Sequence, residues 1–263
     1  MSGCSNIMRS AAVRLSKRRE RHRVRRDGTR RSRKSGLLAD GYLQQIETES
    51  LVDWAEENDC VIRFLKRPGE FVFPHTPIAR VSRCVEGARN CIALSRQGGS
   101  PKDLTFPVGQ LVEVAVRALS PGVNDPRTAI SVLNRLGATL TSLSRRSLDD
   151  GARDRDGVVR VRFPPLDYSD LTNVMFEMIR ESAGGSPSVL IHMVTVLTEV
   201  AGVETVPERL DALRRHARTA DAEGQARFIN EVDKQRLSAA CSGCLAIAAL
   251  SSEKLEGKLW QPV

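Results

Sequence analysis

The sequence predicts an α+β protein that is mainly α, a small β-rich module followed by a helical bundle. Two observations carry that prediction. Between residues 42 and 81, short runs rich in β-branched and aromatic residues alternate with Pro- and Gly-containing turns. From residue 104 onward, apolar residues recur at helical spacing in one segment after another, most of them opened by a capping residue or a proline. A third observation sets the remainder apart. Residues 1–36 hold 13 Lys/Arg and two acids, with too little apolar surface to collapse. The expected organisation is a basic tail over 1–36, a β module over 37–83 and a helical domain over 84–263, with a helical hairpin at 106–145.

The tail accounts for the net charge of +8, because the other 227 residues carry 27 basic and 30 acidic groups. Such a tail can serve as an arm for phosphates, of nucleic acid or of anionic lipid headgroups. It can equally be a solvated tail, or an upstream start codon read through non-coding sequence. It interleaves no aromatic residues for base stacking and precedes no DNA-binding motif, which weighs against nucleic acid.

Tyr42–Ile46 reads as a strand. Thr48 or Ser50 is the expected cap of a helix carrying Leu51, Val52, Trp54 and Ala55 and ending near Asn58. Cys60–Leu65 reads as a second strand, Phe71–Phe73 and Ile78–Val81 as two more, with turns at Arg67–Glu70 and Pro74–Pro77. The run PGEFVFPHTPIARV resembles the turn-and-strand rhythm of hammerhead (biotinyl/lipoyl-like) modules. It lacks the lysine that would carry a cofactor, so no biotin or lipoate is expected.

Residues 84–103 read as a polar connector. In the next helix Leu111, Val114, Ala115 and Ala118 mark an apolar face that Val112, Val116 and Leu119 extend. Only Gln110, Glu113 and Arg117 interrupt it, so the helix is expected to be largely buried with a narrow polar seam. Asp125 suits an N-cap and Pro126 the first helical position, opening a helix through Ala129, Val132, Leu133, Leu136, Leu140 and Leu143. The short connector between them predicts a roughly antiparallel pair. Asp149–Pro165 reads as charged loop with an exposed strand at Val158–Phe163. Ser169 is the expected cap of a further helix, Pro187 opens another through Ala201, and two more cover about 207–218 and 227–251. No run reaches the 18 or so apolar residues of a membrane span.

GYLQQIETESLVDWAEENDCVIRFLKRPGEFVFPHTPIARV, then QLVEVAVRALSPGVNDPRTA, then Phe176–Arg180 resemble, in order, the soluble part of a bacterial family of predicted membrane proteins, the domain of unknown function 2254. The resemblance spans about residues 37–220, and ALSPGVNDP is its most specific stretch. It implies transmembrane helices ahead of this portion in family members. It also implies a place at the cytoplasmic membrane face, in contact with the membrane surface or a membrane-protein partner. The chain departs from the pattern at Gly98 and Gly99, where Arg-Thr is expected ahead of Asp103 and Phe106, and at Arg127, where the family is apolar or aromatic. Activities relying on those positions do not carry over.

The densest group of chemically capable side chains is Arg117, Ser120, Asn124, Asp125, Arg127 and Thr128. A helix N-terminus with two arginines nearby suits an anion. The same residues suit a purely structural hairpin in which Asp125 caps the helix and Arg117 pairs with Glu113. Cys241 and Cys244 form one CxxC inside an Ala-rich helical stretch, where buried packing is the expectation rather than redox or zinc chemistry. His22, His75, His192 and His216 stand at no metal-ligand spacing, and His192 is expected as a satisfied core residue. No metal set or cofactor motif is expected. The reading is a non-enzymatic module acting by ligand binding or protein contact. The alternatives are an enzyme using Arg117, Asn124 and Asp125, or phosphate, lipid or nucleic-acid binding by the tail.

Overall fold

The computed structural model describes residues 33–36, 40–82, 91–96, 98, 99 and 104–259. Cys4, His22, Cys84, Asp103 and the basic segment up to residue 32 lie outside the described residues. The described chain is α+β and mainly α, with eight strands and seven helices. It forms two compact units. The first combines residues up to Phe106 with Asp149–Pro165, and the second combines Pro107–Leu148 with the chain from Leu166 on.

The first unit holds β1 (Arg33–Gly36), β2 (Gly41–Ile46), α1 (Thr48–Glu57), β3 (Ile62–Phe64), β4 (Phe71–Val72), β5 (Pro77–Val81) and β6 (Ile92–Ser95). It also holds a hairpin from far downstream, β7 (Ala152–Arg155) and β8 (Val158–Arg162). One sheet has the order β1-β5-β3-β8-β7 and the other β4-β2-β6. All pairs are antiparallel except β3 with β8.

The core of this unit joins Leu43, Leu51, Ile62, Phe64 and Ile78 to Val161 and Phe163. Phe163 stacks on Phe64 with ring centroids 4.7 Å apart. This corrects the placement of 149–165 within the helical domain: Val161 is fully buried and the segment belongs to the β sheet. Its turn carries a local signal in the sequence. Asp156 and Gly157 both have positive φ (52° and 77°), as a two-residue type I′ hairpin requires and as the Asp-Gly dipeptide between strands signals. At the base of the hairpin Gly151 has φ +74°, and a Cβ there would lie 2.3 Å from the Phe163 carbonyl oxygen. In α1 the N-cap is Glu47, not Thr48 or Ser50. Thr48 instead donates its hydroxyl to the Ile46 carbonyl at 3.3 Å.

The second unit is built from α2 (Thr105–Ala118, counted from Pro107), α3 (Pro126–Leu143), α4 (Tyr168–Ser182), α5 (Pro187–Val203), α6 (Pro207–Arg227) and α7 (Glu231–Leu259). α5 is its centre. Val189, Leu190, Met193, Val194, Val196, Leu197, Val200 and Ala201 are buried around nearly its whole circumference, as expected of a helix that is apolar on all sides. α3 approaches it closely at Gly137, where a Cβ would come within 2.5 Å of Val196 Cγ1.

Two expectations are corrected in this unit. α4 is capped by Asp167, which accepts from the Ser169 N–H at 3.2 Å, so Ser169 lies inside the helix. α2 buries Val108, Val112, Ala115 and Ala118 but leaves Leu111 37% and Val114 48% exposed. Its apolar residues encircle the cylinder, and only one stripe of them meets the core. Cys241 and Cys244 are buried within α7, and burial raises both thiols above their ordinary range. That fits packing and does not fit a reactive pair.

A buried ionic clamp holds the end of α3. Arg209 donates to the carbonyls of Leu143 and Arg146, each at 3.1 Å, so its guanidinium caps the last turn. It lies 3.7 Å from Glu204 and 5.2 Å from the centre of the Tyr168 ring. The other Glu204 oxygen accepts the N–H groups of Thr205 and Val206 at 2.8 and 3.0 Å, ahead of α6. Burial, helped by the Glu204 charge, pushes the Tyr168 phenol above its usual range.

Candidate functional site

The connector between α2 and α3 is closed by its own backbone. Asn124 N–H reaches the Ser120 carbonyl at 2.9 Å and Asp125 N–H reaches that of Ala118 at 2.7 Å. Asn124 takes the left-handed conformation, φ 47°, which Asn tolerates better than most residues. Ser120 donates its hydroxyl to the Arg117 carbonyl at 2.7 Å.

Asp125 then caps α3. One carboxylate oxygen accepts the N–H groups of Arg127 and Thr128 at 3.1 and 3.3 Å, and the other accepts the Thr128 hydroxyl at 2.6 Å. The Thr128 hydroxyl, followed by its backbone N–H, holds the Asp125 carboxyl below the usual carboxylate range. An ionised acid fixed in this way is poorly matched to proton transfer near neutral pH. Arg117 pairs with Glu113 on its own helix. Arg127 is exposed, and among the described residues its guanidinium forms no ion pair. The structure therefore gathers Asp125, the Arg127 N–H and Thr128 into one cap, while Arg117 and Ser120 serve the end of α2.

Residues 4–199 match the family described as predicted membrane protein (DUF2254). The chain belongs to this family. The match begins within the basic segment and ends in α5, whereas the resemblance in sequence spans about residues 37–220. Proteins of similar sequence include the uncharacterized protein Rv1290c of Mycobacterium tuberculosis (strain ATCC 25618 / H37Rv), 32% identical over 228 residues. The uncharacterized protein Mb1321c of Mycobacterium bovis (strain ATCC BAA-935 / AF2122/97) is likewise 32% identical. The uncharacterized protein MT1328 of Mycobacterium tuberculosis (strain CDC 1551 / Oshkosh) is 26% identical. Each alignment covers 82% of this chain and 42% of the relative, so the chain spans less than half the length of these relatives. No solved structure matches. Among the described residues, no helix is long and apolar enough to cross a membrane.

A second feature of this family member had no local signal in the sequence. A cleft of about 460 Å³ opens in the helical unit, lined by Ile130 of α3, by Ser188, His192 and Thr195 of α5, and by Asp233 and Arg236 of α7. His192 shares a hydrogen bond with Asn134 Oδ1 at 2.7 Å, so it is satisfied, but it lines the cleft instead of lying in the core. Burial lowers its imidazole below the ordinary value and favours the neutral ring. Arg236 and Asp233 form a loose ion pair at 3.5 Å. Ser188, His192 and Thr195 recur at i, i+4 and i+7, one face of α5. That α3 and α7 supply the facing walls is a matter of packing alone.

Proposed function

We propose that the helical unit works by reversible, non-catalytic binding of a small ligand in the cleft between α3, α5 and α7. The observation behind this reading is the cleft itself. Its volume of about 460 Å³ falls in the range of small-molecule sites, and its walls combine Ile130 with hydroxyl, imidazole, carboxylate and guanidinium groups. The connector supports a non-catalytic role, because its acid is committed to a helix cap. Within a family described as membrane proteins, the chain would act outside the bilayer at the cytoplasmic face. The free thiols of Cys60, Cys91, Cys241 and Cys244 favour that side.

The test is a metabolite screen by ligand-observed NMR on the full chain, repeated with Thr195→Leu and His192→Phe to fill the cleft. Binders that lose contact in both variants support the reading. A screen without binders, or binders indifferent to both substitutions, overturns it. A second reading, anion contact at the connector, is favoured by the exposed and unpaired Arg127 guanidinium. Phosphate titration of wild type against Arg127→Ala tests it, and equal responses remove it.

A further inference from the structure

The five-stranded sheet sets arginines side by side. Arg63 on β3 stands directly opposite Arg80 on β5 and opposite Arg162 on β8. The Lys34 position on β1 continues the register beside Arg80. Residues opposite one another on adjacent strands point to the same face. Here that face is the outer one. Arg63, Arg80 and Arg162 are all exposed, while their neighbours Ile62, Phe64, Ala79 and Val161 point inward and are buried. With strands spaced about 4.8 Å apart, the three arginine positions form a row about 10 Å long.

Like charges placed directly opposite across strands weaken a sheet, and this row has no internal compensation. None of the three guanidinium groups forms an ion pair or hydrogen bond among the described residues. The contrast lies within the same unit. Arg153 is matched by Asp149, Arg155 by Asp53 and Arg160 by Asp59. β1, the strand next to β5, is the last part of the stretch of sequence over residues 1–36 that holds 13 Lys/Arg and two acids.

We infer that the Arg63–Arg80–Arg162 face is a docking surface for an anionic lipid bilayer. Charge complementarity selects an anionic partner, since the row is basic and unmatched among the described residues and the sequence ahead of it is basic as well. A bilayer is favoured over nucleic acid by what lies between the charges. Val61, 39% exposed, lies two residues from Arg63 on the same face and suits the headgroup region. The described residues around the row on that face, Val61, Arg63, Arg80, Ser82 and Arg162, include no aromatic ring on which a base could stack. Membership of a family described as membrane proteins points the same way. The inference is independent of the cleft.

The experiment is co-sedimentation of the full chain with two vesicle types. One is phosphatidylcholine alone, and the other contains about 30 mol % phosphatidylglycerol, the source of the anionic surface. Wild type should sediment with the second only, and less so as salt is raised. Each surface charge contributes about fivefold to such partitioning, so Arg63→Gln/Arg80→Gln/Arg162→Gln should weaken it about a hundredfold. The Lys versions of the three sites should keep most of the binding. Arg135→Gln/Arg145→Gln/Arg218→Gln, with the same change in net charge on the helical unit, should stay within a few fold of wild type. Thermal melts of the Gln triple variant should match or exceed wild type, since like-charge repulsion has been removed. Sedimentation of the triple variant as well as wild type overturns the inference. So does row-dependent binding of duplex DNA or RNA, read by fluorescence anisotropy, without vesicle binding.

Discussion

Replacing Arg209 by Met should be among the most damaging single changes in the helical unit. Arg209 is 8% exposed and Glu204 2% exposed, so the substitution leaves a carboxylate in the interior without its counter-charge. It also strips the carbonyls of Leu143 and Arg146 of their donors. Breaking a buried pair from one side costs about 3–5 kcal/mol. With a urea dependence of about 2 kcal/mol per molar, the helical circular dichroism transition should move down by about 2 M. Glu204→Gln is milder. Its amide oxygen still accepts the N–H groups of Thr205 and Val206, while the charge that Arg209 balances is gone.

The double variant Arg209→Met/Glu204→Gln is therefore the decisive comparison. It removes both charges and should be more stable than the sum of the single effects predicts, by about 1.5 kcal/mol or more. Strict additivity, or a shift below about 1 kcal/mol for Arg209→Met alone, would refute the clamp as a coupled ionic unit.

The remaining expectations concern packing, titration and capping. Gly137→Ala gains up to about 1 kcal/mol of helix propensity but drives a methyl into Val196, and overpacking of about 1–3 kcal/mol should win. Urea denaturation should show a net loss that Gly137→Ala/Val196→Ala recovers. Burial, with the charges of Arg215 and Arg180, pushes the His216 imidazole down to about 4. The unfolded chain takes up that proton near pH 6.5, so it binds more protons than the folded chain between the two values. Stability should then fall by about 3 kcal/mol as pH drops from 6.5 to 4. Melts against pH should show this fall in wild type and a flatter profile in His216→Phe, and equal slopes would sink the idea. Asp125→Ala should lower the melting temperature because the cap is lost. Asp125→Asn should retain most of it, since an amide oxygen can still accept the Arg127 and Thr128 N–H groups.

Much of this protein was determined by interactions between residues near one another in sequence. The Asp125-Pro126 start of α3, the apolar spacing of α3 to α5, the fold class and the family-bearing stretch around Ser120–Thr128 are of this kind. Capping bonds and the 3.6-residue period act over a few residues, so the residues themselves disclose them. The same locality showed Asp125 as a cap, and with it the limits of the connector as a reactive site. The Asp156-Gly157 hairpin was equally local.

Tertiary structure alone decided what depends on partners distant in the chain. β8 takes its place beside β3 although about a hundred residues separate them, and that pairing creates the arginine row. Arg209 and Glu204 find the end of α3 some sixty residues upstream. α7 closes the cleft that α3 and α5 begin. Which stripe of α2 is buried depends on where its neighbours stand. Each of these outcomes is a competition among many distant partners, settled by burial and charge over the whole folded chain. A local pattern states only that a side chain needs a partner, and the fold supplies which one.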